Sequence, residues 1–177
     1  MSFRKYFNFL SVRISAKNGH ILIKGDRVAM VPTEMFTELY LGLSKVMGKA
    51  GAATAFYFGA KNSGHVLYDI GMKLYGEDNM KSEERFPKIL DELLSIAGYG
   101  RCEVEKVDFT NVEVVLHLKG LLTSSGIEGS DVPVCHAERG AMTGIVESIT
   151  GKQLVGKEVK CQAMGDDHCE FVISEGP

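Results

Sequence analysis

The stretch VCHAERGAMTGIVESITGKQLVGKEVKCQAMGDDHCEFVI, residues 134–173, contains the signals that decide the fold. Apolar residues recur at helical spacing in its first half, which predicts an amphipathic helix over 137–149. Its second half predicts two strands, 153–163 and 168–174, joined by a turn at Met164-Gly165-Asp166-Asp167. A helix followed by a terminal hairpin indicates an antiparallel sheet with a helix packed against it.

The residues before this stretch also alternate between strand and helix signals. Alternating apolar residues over 9–16 predict a half-buried strand, and two apolar runs around Gly25-Asp26 predict a hairpin. The other predicted elements, in chain order, are helices from Thr33 to Gly48, over 50–75 and from Pro87 to Gly98, and strands over 100–109 and 111–119. We therefore expect an α+β fold with a mainly antiparallel sheet and packed helices.

Glycines inside the predicted helices have two interpretations. Gly140 and Gly144 lie one turn apart, so a neighbouring element can approach that helix closely. Gly59, Gly64 and Gly71 weaken the long second helix, since each costs about 1 kcal/mol relative to alanine. They either permit close helix packing or leave room for a ligand, and the sequence does not separate these two roles.

Composition excludes several classes of protein. The chain has 177 residues, 45% of them apolar and 24% charged, which is ordinary for one globular domain over residues 1–177. The formal charge of −3 gives no basic excess, so we expect no direct nucleic-acid binding. Neither a signal peptide nor a membrane-spanning run is visible, and we expect a cytoplasmic protein that does not enter the membrane.

Four cysteines carry the clearest chemical signal. Cys102 alternates with apolar residues on a predicted strand and is interpreted as a core residue. If the terminal turn centres on Gly165, Cys161 and Cys169 lie opposite one another, about 4.5–5.5 Å apart at Cβ. Cys135, just before the helix, could join them at a metal ion, and a buried cluster of reduced cysteines is the alternative.

A tetrahedral zinc site would require a fourth ligand, and spacing alone does not choose one. The candidates are Glu158, His136, His168, Asp166 and Asp167. On a regular strand Glu158 would point away from Cys161, because three residues is an odd step, and a β-bulge would bring the two together.

The spaced residues of this stretch resemble the 4-vinyl reductase domain family. The matching features are Cys135 with Arg139-Gly140, then Gly144, Glu158-x-x-Cys161, Ala163-x-Gly165 and Cys169-x-Phe171. The resemblance implies an α/β fold around an antiparallel sheet, shared with TRAPP transport-complex subunits and haem nitric-oxide sensors and often dimeric. The family includes sensor domains of phenol-responsive transcription activators and a protein linked to bacteriochlorophyll synthesis.

In the phenol sensors, a structural zinc is held by the pattern Cys-x22-Glu-x2-Cys-x7-Cys. Cys135, Glu158, Cys161 and Cys169 match every interval of this pattern, so the resemblance implies that they are zinc ligands. Four protein ligands leave no open position, which favours a structural zinc over a catalytic one. A weaker match, His136-Ala137-Glu138, is similar to the zinc deaminase motif, but the cysteines do not have its C-x-x-C spacing.

A sensor domain requires a mostly apolar pocket with a few polar groups. The candidate lining residues, each of which could equally be an ordinary core residue, are Phe56, Tyr57, His65, Tyr68, Val112, Val114, Leu116, Met142 and Phe171. The family's phenol sensors hold the phenolic hydroxyl with a His and a Trp. This chain has no tryptophan, which argues against phenol as its ligand.

We therefore expect a zinc-stabilised domain that binds a hydrophobic or aromatic small molecule, as a homodimer or with a regulatory protein partner. The first alternative is an accessory protein or vinyl reductase of tetrapyrrole metabolism, although no GxGxxG nicotinamide fingerprint is present. The second alternative is a dimeric scaffold for partner proteins.

Overall fold

The computed structural model of the chain describes residues 12–15, 18–23 and 25–176. Two antiparallel sheets and four helices make up this part. The strands are β1 (Val12–Ser15), β2 (His20–Ile23), β3 (Asp26–Val28), β4 (Arg101–Asp108), β5 (Glu113–Lys119), β6 (Leu154–Lys160) and β7 (Cys169–Glu175). The helices are α1 (Glu34–Tyr75), α2 (Glu77–Met80), α3 (Phe86–Ala97) and α4 (His136–Thr150), with 3₁₀ turns at Ser124–Gly126 and Gln162–Met164.

The first three strands form a small sheet in the order β1-β2-β3, and the other four form the main sheet in the order β4-β5-β7-β6. Every neighbouring pair is antiparallel, so the predicted α+β class is confirmed. The predicted hairpin around Gly25-Asp26 is the β2–β3 pair. Of the strand predicted over 9–16, residues 12–15 form β1, and residues 9–11 and 16 lie outside the described residues.

The helix boundaries follow the glycine signals. Gly48 has a non-helical backbone with φ 77° and ψ 159°, so it divides α1 where the sequence predicts a break. Gly98 ends α3 in the left-handed region, as expected for a helix C-cap. The strand predicted over 111–119 begins later, at Glu113, because Val112 adopts φ 54° in the preceding turn. Such a backbone is unfavourable for a β-branched residue, and Val112 is held there with its side chain fully buried.

The core lies between the inner face of the main sheet and the helices. Alternate residues of the two central strands point inward and are completely buried: Val114, Leu116 and Leu118 on β5, and Cys169, Phe171 and Ile173 on β7. Met142, Ile145 and Val146 of α4 and Leu90 and Leu94 of α3 pack in the same cluster. This arrangement leaves the alternate residues of β5 and β7 on the outer face of the sheet.

Glycines let α1 and α4 pack with their backbones in contact. A Cβ atom on Gly144 would lie 2.0 Å from the Lys61 carbonyl oxygen, and one on Gly140 would lie 2.2 Å from the Tyr57 carbonyl oxygen. In the opposite direction, a Cβ on Gly64 would lie 2.3 Å from the Ala141 carbonyl oxygen. These three glycines therefore serve close helix packing, whereas Gly59 faces open space.

The two kinds of glycine should respond oppositely to alanine. Gly144→Ala forces the helices apart, and we expect it to lower the free energy of unfolding by about 1–3 kcal/mol, the usual cost of overpacking. Gly59→Ala meets no atom and should raise the free energy of unfolding by up to about 1 kcal/mol through helix propensity. Urea unfolding of both variants checks this, and equal effects of the two substitutions would contradict the packing argument.

Candidate metal centre

Three cysteines and one glutamate from distant parts of the chain come together at one end of α4. Cys135 directly precedes α4, Glu158 lies on β6, Cys161 follows β6, and Cys169 begins β7. The Cys135 sulfur lies 4.0 Å from that of Cys161 and 3.6 Å from that of Cys169. The three sulfurs and a carboxylate oxygen of Glu158 all lie within 4.8 Å of one another.

A β-bulge brings Glu158 to the same side as the cysteines. Glu158 pairs with Phe171 and Lys160 pairs with Glu170, so Val159 is an extra residue between two consecutive pairs. The extra residue converts the odd step from Glu158 to Cys161 into an even one, which places both side chains on one face. This irregularity is the one that the odd spacing requires if both residues are to reach one ion.

The geometry of the cluster fits a tetrahedral ion bound by sulfur. With Zn–S bonds of about 2.3 Å, the edge of a tetrahedron is about 3.8 Å, close to the two observed sulfur–sulfur distances. All three cysteines are fully buried, and no disulfide joins any two of them. Glu158 accepts the backbone N–H of Cys135 through Oε2 at 3.0 Å, whereas its Oε1 is buried without a hydrogen-bond partner in the described chain.

The electrostatics of the cluster favour a cation. The pKa of Cys135 is raised because its thiol is hydrogen-bonded to the sulfurs of Cys161 and Cys169, and burial adds to the effect. Hydrogen bonding from the thiols of Cys135 and Cys161 lowers the pKa of Cys169 to about 4. Burial, followed by the charge of Cys161, raises the pKa of Glu158 to about 9. Protons on Cys135 and Glu158 reduce the negative charge of the cluster without a metal, and a bound cation would replace them.

Backbone groups orient the sulfurs, and the other fourth-ligand candidates are engaged elsewhere. The Gln162 N–H donates to the Cys169 sulfur at 3.3 Å, and the Asp166 carboxylate accepts the Cys161 N–H at 2.8 Å. Asp167 pairs with the Nδ1 atom of His168 at 2.6 Å.

His136 contacts Arg139 through its Nδ1 atom, and burial lowers its pKa to about 4. Glu138 would be the acid–base residue of a deaminase-like site. Its carboxylate accepts hydrogen bonds from the N–H and the hydroxyl of Thr123, at 2.8 and 3.1 Å. The geometry therefore groups Glu158 with the cysteines and places His136 and Glu138 in other contacts. Cys102 lies apart in the core, where burial raises its pKa to about 12.

The segment that carries this cluster matches a known family. Residues 117–175 match the V4R domain family model. The resemblance to the 4-vinyl reductase domain family is thereby confirmed for the part of the chain that contains all four clustered residues.

Relatives in sequence extend further along the chain. The uncharacterized protein MJ0150 of Methanocaldococcus jannaschii is 27% identical over 110 residues, which are 61% of this chain and 62% of that protein. The uncharacterized protein MJ0745 of the same organism is 29% identical over 107 residues, 60% of this chain and 54% of that protein. The aligned region thus spans less than two thirds of either relative.

Solved structures confirm the fold. The phenol-responsive sensory domain of the transcription activator PoxR, described with phenol, has a TM-score of 0.81 at 20% identity, covering 98% of this chain and 90% of that one. A vinyl-4-reductase family protein of M. jannaschii has a TM-score of 0.56 at 20% identity, covering 85% of each chain. A trafficking protein particle complex subunit 3 from Naegleria fowleri, covalently bound to palmitic acid, has a TM-score of 0.60 at 15% identity, covering 82% and 95%.

Two clefts flank Arg139, which belongs to the V4R segment. The larger, of about 540 Å³, is bordered by Glu158 of the cluster. The smaller, of about 270 Å³, opens over Tyr57. Ala53 and Arg139 line both clefts.

The Arg139 guanidinium lies 4.4 Å from the centre of the Tyr57 ring and donates to the Gly156 carbonyl oxygen at 2.6 Å. In the sequence, Arg139 is identified only as a residue that matches the family. Its spacing of three residues from His136 on a helix predicts that the two side chains share one face, and both line the larger cleft.

The nine residues predicted to line a pocket have different surroundings. Tyr57 lines the smaller cleft, and its hydroxyl accepts the Gly156 N–H at 3.0 Å. His65 lies at the surface between α1 and α4, with Nδ1 2.7 Å from the Ser148 hydroxyl. Tyr68 belongs to a second apolar cluster with Met80 and Ile89. The remaining six lie in or against the main core: Phe56, Val112, Val114, Leu116, Met142 and Phe171.

The described helices give no sign of a membrane span, since none is both long and apolar enough to cross a bilayer.

The buried carboxyl of Glu138 should give stability a distinctive pH dependence. Burial raises its pKa, against the opposing effect of the hydrogen bonds from Thr123. A carboxyl whose pKa is raised on folding stabilises the folded state less as pH rises above its unfolded pKa of about 4.3. We therefore expect the free energy of unfolding of wild type, relative to Glu138→Gln, to fall as pH rises above that unfolded pKa. Urea unfolding at several pH values checks this, and a constant difference would contradict it.

Proposed function

We propose that this chain is a zinc-stabilised domain that binds a hydrophobic or aromatic small molecule in a sensing or carrier role. The observation that carries the proposal is the fold, shared over 98% of the chain with a sensory domain described with phenol. The clefts beside Arg139 support it, because about 540 Å³ falls within the usual 300–1,000 Å³ of small-molecule sites.

The donor set supports zinc as the ion. Thiolates select soft or borderline metals, and three thiolates with one carboxylate would give a closed tetrahedral site. When bound, zinc supplies a cross-link between the start of α4, the bulged strand β6 and the terminal hairpin. Because metal binding requires the assembled site, its binding free energy appears as folding stability.

Removing one ligand should therefore lower stability together with metal content. Cys161→Ser should lose the bound zinc and lower the melting temperature by about 10 °C or more, since about 3 kcal/mol shifts a domain of this size by that amount. A chelator should lower the melting temperature of wild type and leave that of Cys161→Ser unchanged. Elemental analysis and thermal denaturation give the two measurements.

Cys102→Ser is the matched control for that variant. It also removes a buried thiol, but one outside the cluster, so it should keep the zinc and remain sensitive to the chelator. Purified wild type with less than half an equivalent of zinc, or equal melting with and without chelator, would refute the zinc proposal.

The cleft residues favour a ligand with an apolar body and an accepting or anionic group. Tyr40, Pro133 and Val159 supply apolar surface, while Lys49 and Arg139 supply positive charge. The Nε atom of Arg139 is buried without a hydrogen-bond partner among the described residues. A ligand that offers this N–H a hydrogen-bond acceptor would remove the free-energy cost of leaving it unpaired. Two fold neighbours are described with phenol and with palmitic acid, which are small molecules with an apolar portion.

Filling the clefts should abolish binding. A thermal-shift screen with aromatic compounds, fatty acids and porphyrins should yield a hydrophobic compound that raises the melting temperature of wild type. Ala53 lines both clefts, so Ala53→Phe should remove that shift. Ala55→Phe, two residues along the same helix at an exposed position, should leave it unchanged.

Three outcomes would count against this assignment of the ligand site. If the ligand raises the melting temperature of both phenylalanine variants equally, the ligand does not bind in the clefts, and a site among the core residues Phe56, Met142 and Phe171 is favoured. A porphyrin hit with a spectral change would favour the tetrapyrrole alternative. The absence of any hit, together with a bound partner protein, would favour the scaffold.

The described part of α1 also supports self-association. Its large apolar side chains Leu39, Val46, Phe58 and Val66 are exposed by 49%, 83%, 58% and 56%. A second copy of the chain packed against them would remove this apolar surface from water, which is favourable. We therefore include a homodimer in the proposal. Sedimentation of wild type against Phe58→Glu tests it, because the charged side chain should shift the population toward monomer.

A further inference from the structure

A row of charged and imidazole side chains crosses the outer face of the main sheet, opposite the core. His117 of β5 pairs with Glu170 of β7, and Glu170 in turn pairs with Lys160 of β6. His168 lies just before β7, with its ring centre 4.4 Å from that of His117. Both neighbours of Glu170 on β7, Cys169 and Phe171, point into the core, so this row belongs to the opposite face from the cysteine cluster.

Three donor atoms of this row converge. The Nε2 atoms of His117 and His168 lie 3.4 and 3.6 Å from Oε2 of Glu170. All three lie within 4.8 Å of one another, as the donors of the cysteine cluster do. Both Nε2 atoms are buried, and among the described residues neither makes a well-directed hydrogen bond, although Oε2 of Glu105 also lies 2.7 Å from Nε2 of His117. Two buried imidazole nitrogens that face carboxylate oxygens without a well-directed hydrogen bond are unfavourable unless something else, such as a cation, binds between them.

The separations are those of ligands to one small cation. With metal–nitrogen and metal–oxygen bonds of about 2.0–2.2 Å, the edge of a tetrahedron is about 3.3–3.6 Å. Imidazole nitrogen with carboxylate oxygen suits zinc and its neighbours among the divalent transition metals. The orientation of one ring is already set, because Nδ1 of His168 lies 2.6 Å from the Asp167 carboxylate. A carboxylate on the other ring nitrogen is the usual outer partner of a metal-bound histidine.

We propose that His117, His168 and Glu170 form a second metal site, for a divalent transition ion of the zinc type, on the outer face of the sheet. Three protein ligands leave at least one coordination position open to water or to a donor from another molecule. The site is thus distinct in chemistry from the closed thiolate cluster on the inner side.

Two charged neighbours of the site determine how tightly the ion binds. The Lys160 ammonium lies 2.8 Å from Oε2 of Glu170 and competes with the metal for that oxygen. Its side chain is 44% exposed, so it can move into solvent when the ion enters. The Glu105 carboxylate lies 2.7 Å from Nε2 of His117 and adds negative charge at the edge of the site. Removing Lys160 should therefore strengthen metal binding.

Zinc titration of the full chain tests the proposal. Protein whose first equivalent of zinc has been verified by elemental analysis is titrated with zinc ion alone and followed by calorimetry. Wild type should take up a second equivalent. Because loss of even an outer partner weakens metal binding about 10–100-fold, His117→Gln or His168→Gln should weaken that step by about 100-fold or more. Lys160→Gln should tighten it.

Two control variants separate this site from other binding. His65→Gln removes a histidine on the far side of the molecule, beside Ser148, and should leave the second step unchanged. Cys161→Ser should remove the thiolate-bound equivalent and keep the histidine-bound one, so failure of the cysteine proposal and failure of this one give different patterns. A single equivalent in wild type, or a second equivalent that survives in the His117→Gln/His168→Gln double variant, would overturn the second site.

A measurement on wild type alone guards against variants that do not fold. Nitrogen-15 NMR of the histidine rings should show zinc-dependent shifts at Nε2 of His117 and His168 and none at His65. If the two rings titrate with zinc no differently from His65, the row is a set of ion pairs without a metal and the proposal fails.

Discussion

The close backbone contact between α1 and α4 is the constraint on which the rest of the structure depends. Gly64, Gly140 and Gly144 have no Cβ atom, and a carbonyl oxygen of the facing helix occupies the place where each Cβ would lie. At that distance α4 lies flat against α1 while its other side packs on the main sheet. The start of α4 is thereby held above β6 and β7, which is where Cys135 must lie to meet Glu158, Cys161 and Cys169.

The cluster is expensive to build without a cation. Three thiols and a carboxylate are removed from water together. Hydrogen bonds to the other two sulfurs hold a proton on Cys135, and burial, followed by the charge of Cys161, holds one on Glu158. A buried polar group without a partner, such as Oε1 of Glu158, costs free energy that packing must offset. The arrangement therefore makes physical sense as a set of ligands, and the single-residue bulge at Val159 serves the same end because it turns Glu158 inward.

The two faces of the main sheet separate two kinds of chemistry. The three sulfurs and the Glu158 carboxylate lie on the inner side, where they are shielded from water, and the imidazoles of His117 and His168 lie with the Glu170 carboxylate on the outer side. The strict alternation of strand side chains produces this division, since Cys169 and Glu170 are consecutive and must point in opposite directions. The clefts beside Arg139 lie apart from the outer row, so a ligand there and an ion on the outer face need not compete.

Sequence patterns alone determined the strands, the longer helices, their order and the glycine breaks, but not the short helix α2 or the 3₁₀ turns. Helical periodicity and strand alternation are local, and Gly48 and Gly98 act on their own backbone, so no distant contact is required to predict them. The intervals between Cys135, Glu158, Cys161 and Cys169 also identified four related residues, through resemblance to a family. The choice of Glu158 from the residues alone stayed open, because a bulge is a property of strand pairing and has no signal of its own in one strand.

Only the tertiary structure decided which residues meet across the sheet and which face open space. His117 and Glu170 are 53 positions apart in the chain and become neighbours through the β5–β7 register, which no local pattern sets. The structure likewise places the predicted pocket residues variously in the core, at the surface and in a cleft. Helical spacing could not distinguish these, because it is compatible with all three positions. Arg139 lines the clefts because α4 crosses α1 beside Tyr57. That crossing follows from the close contact of the two helices at their glycines.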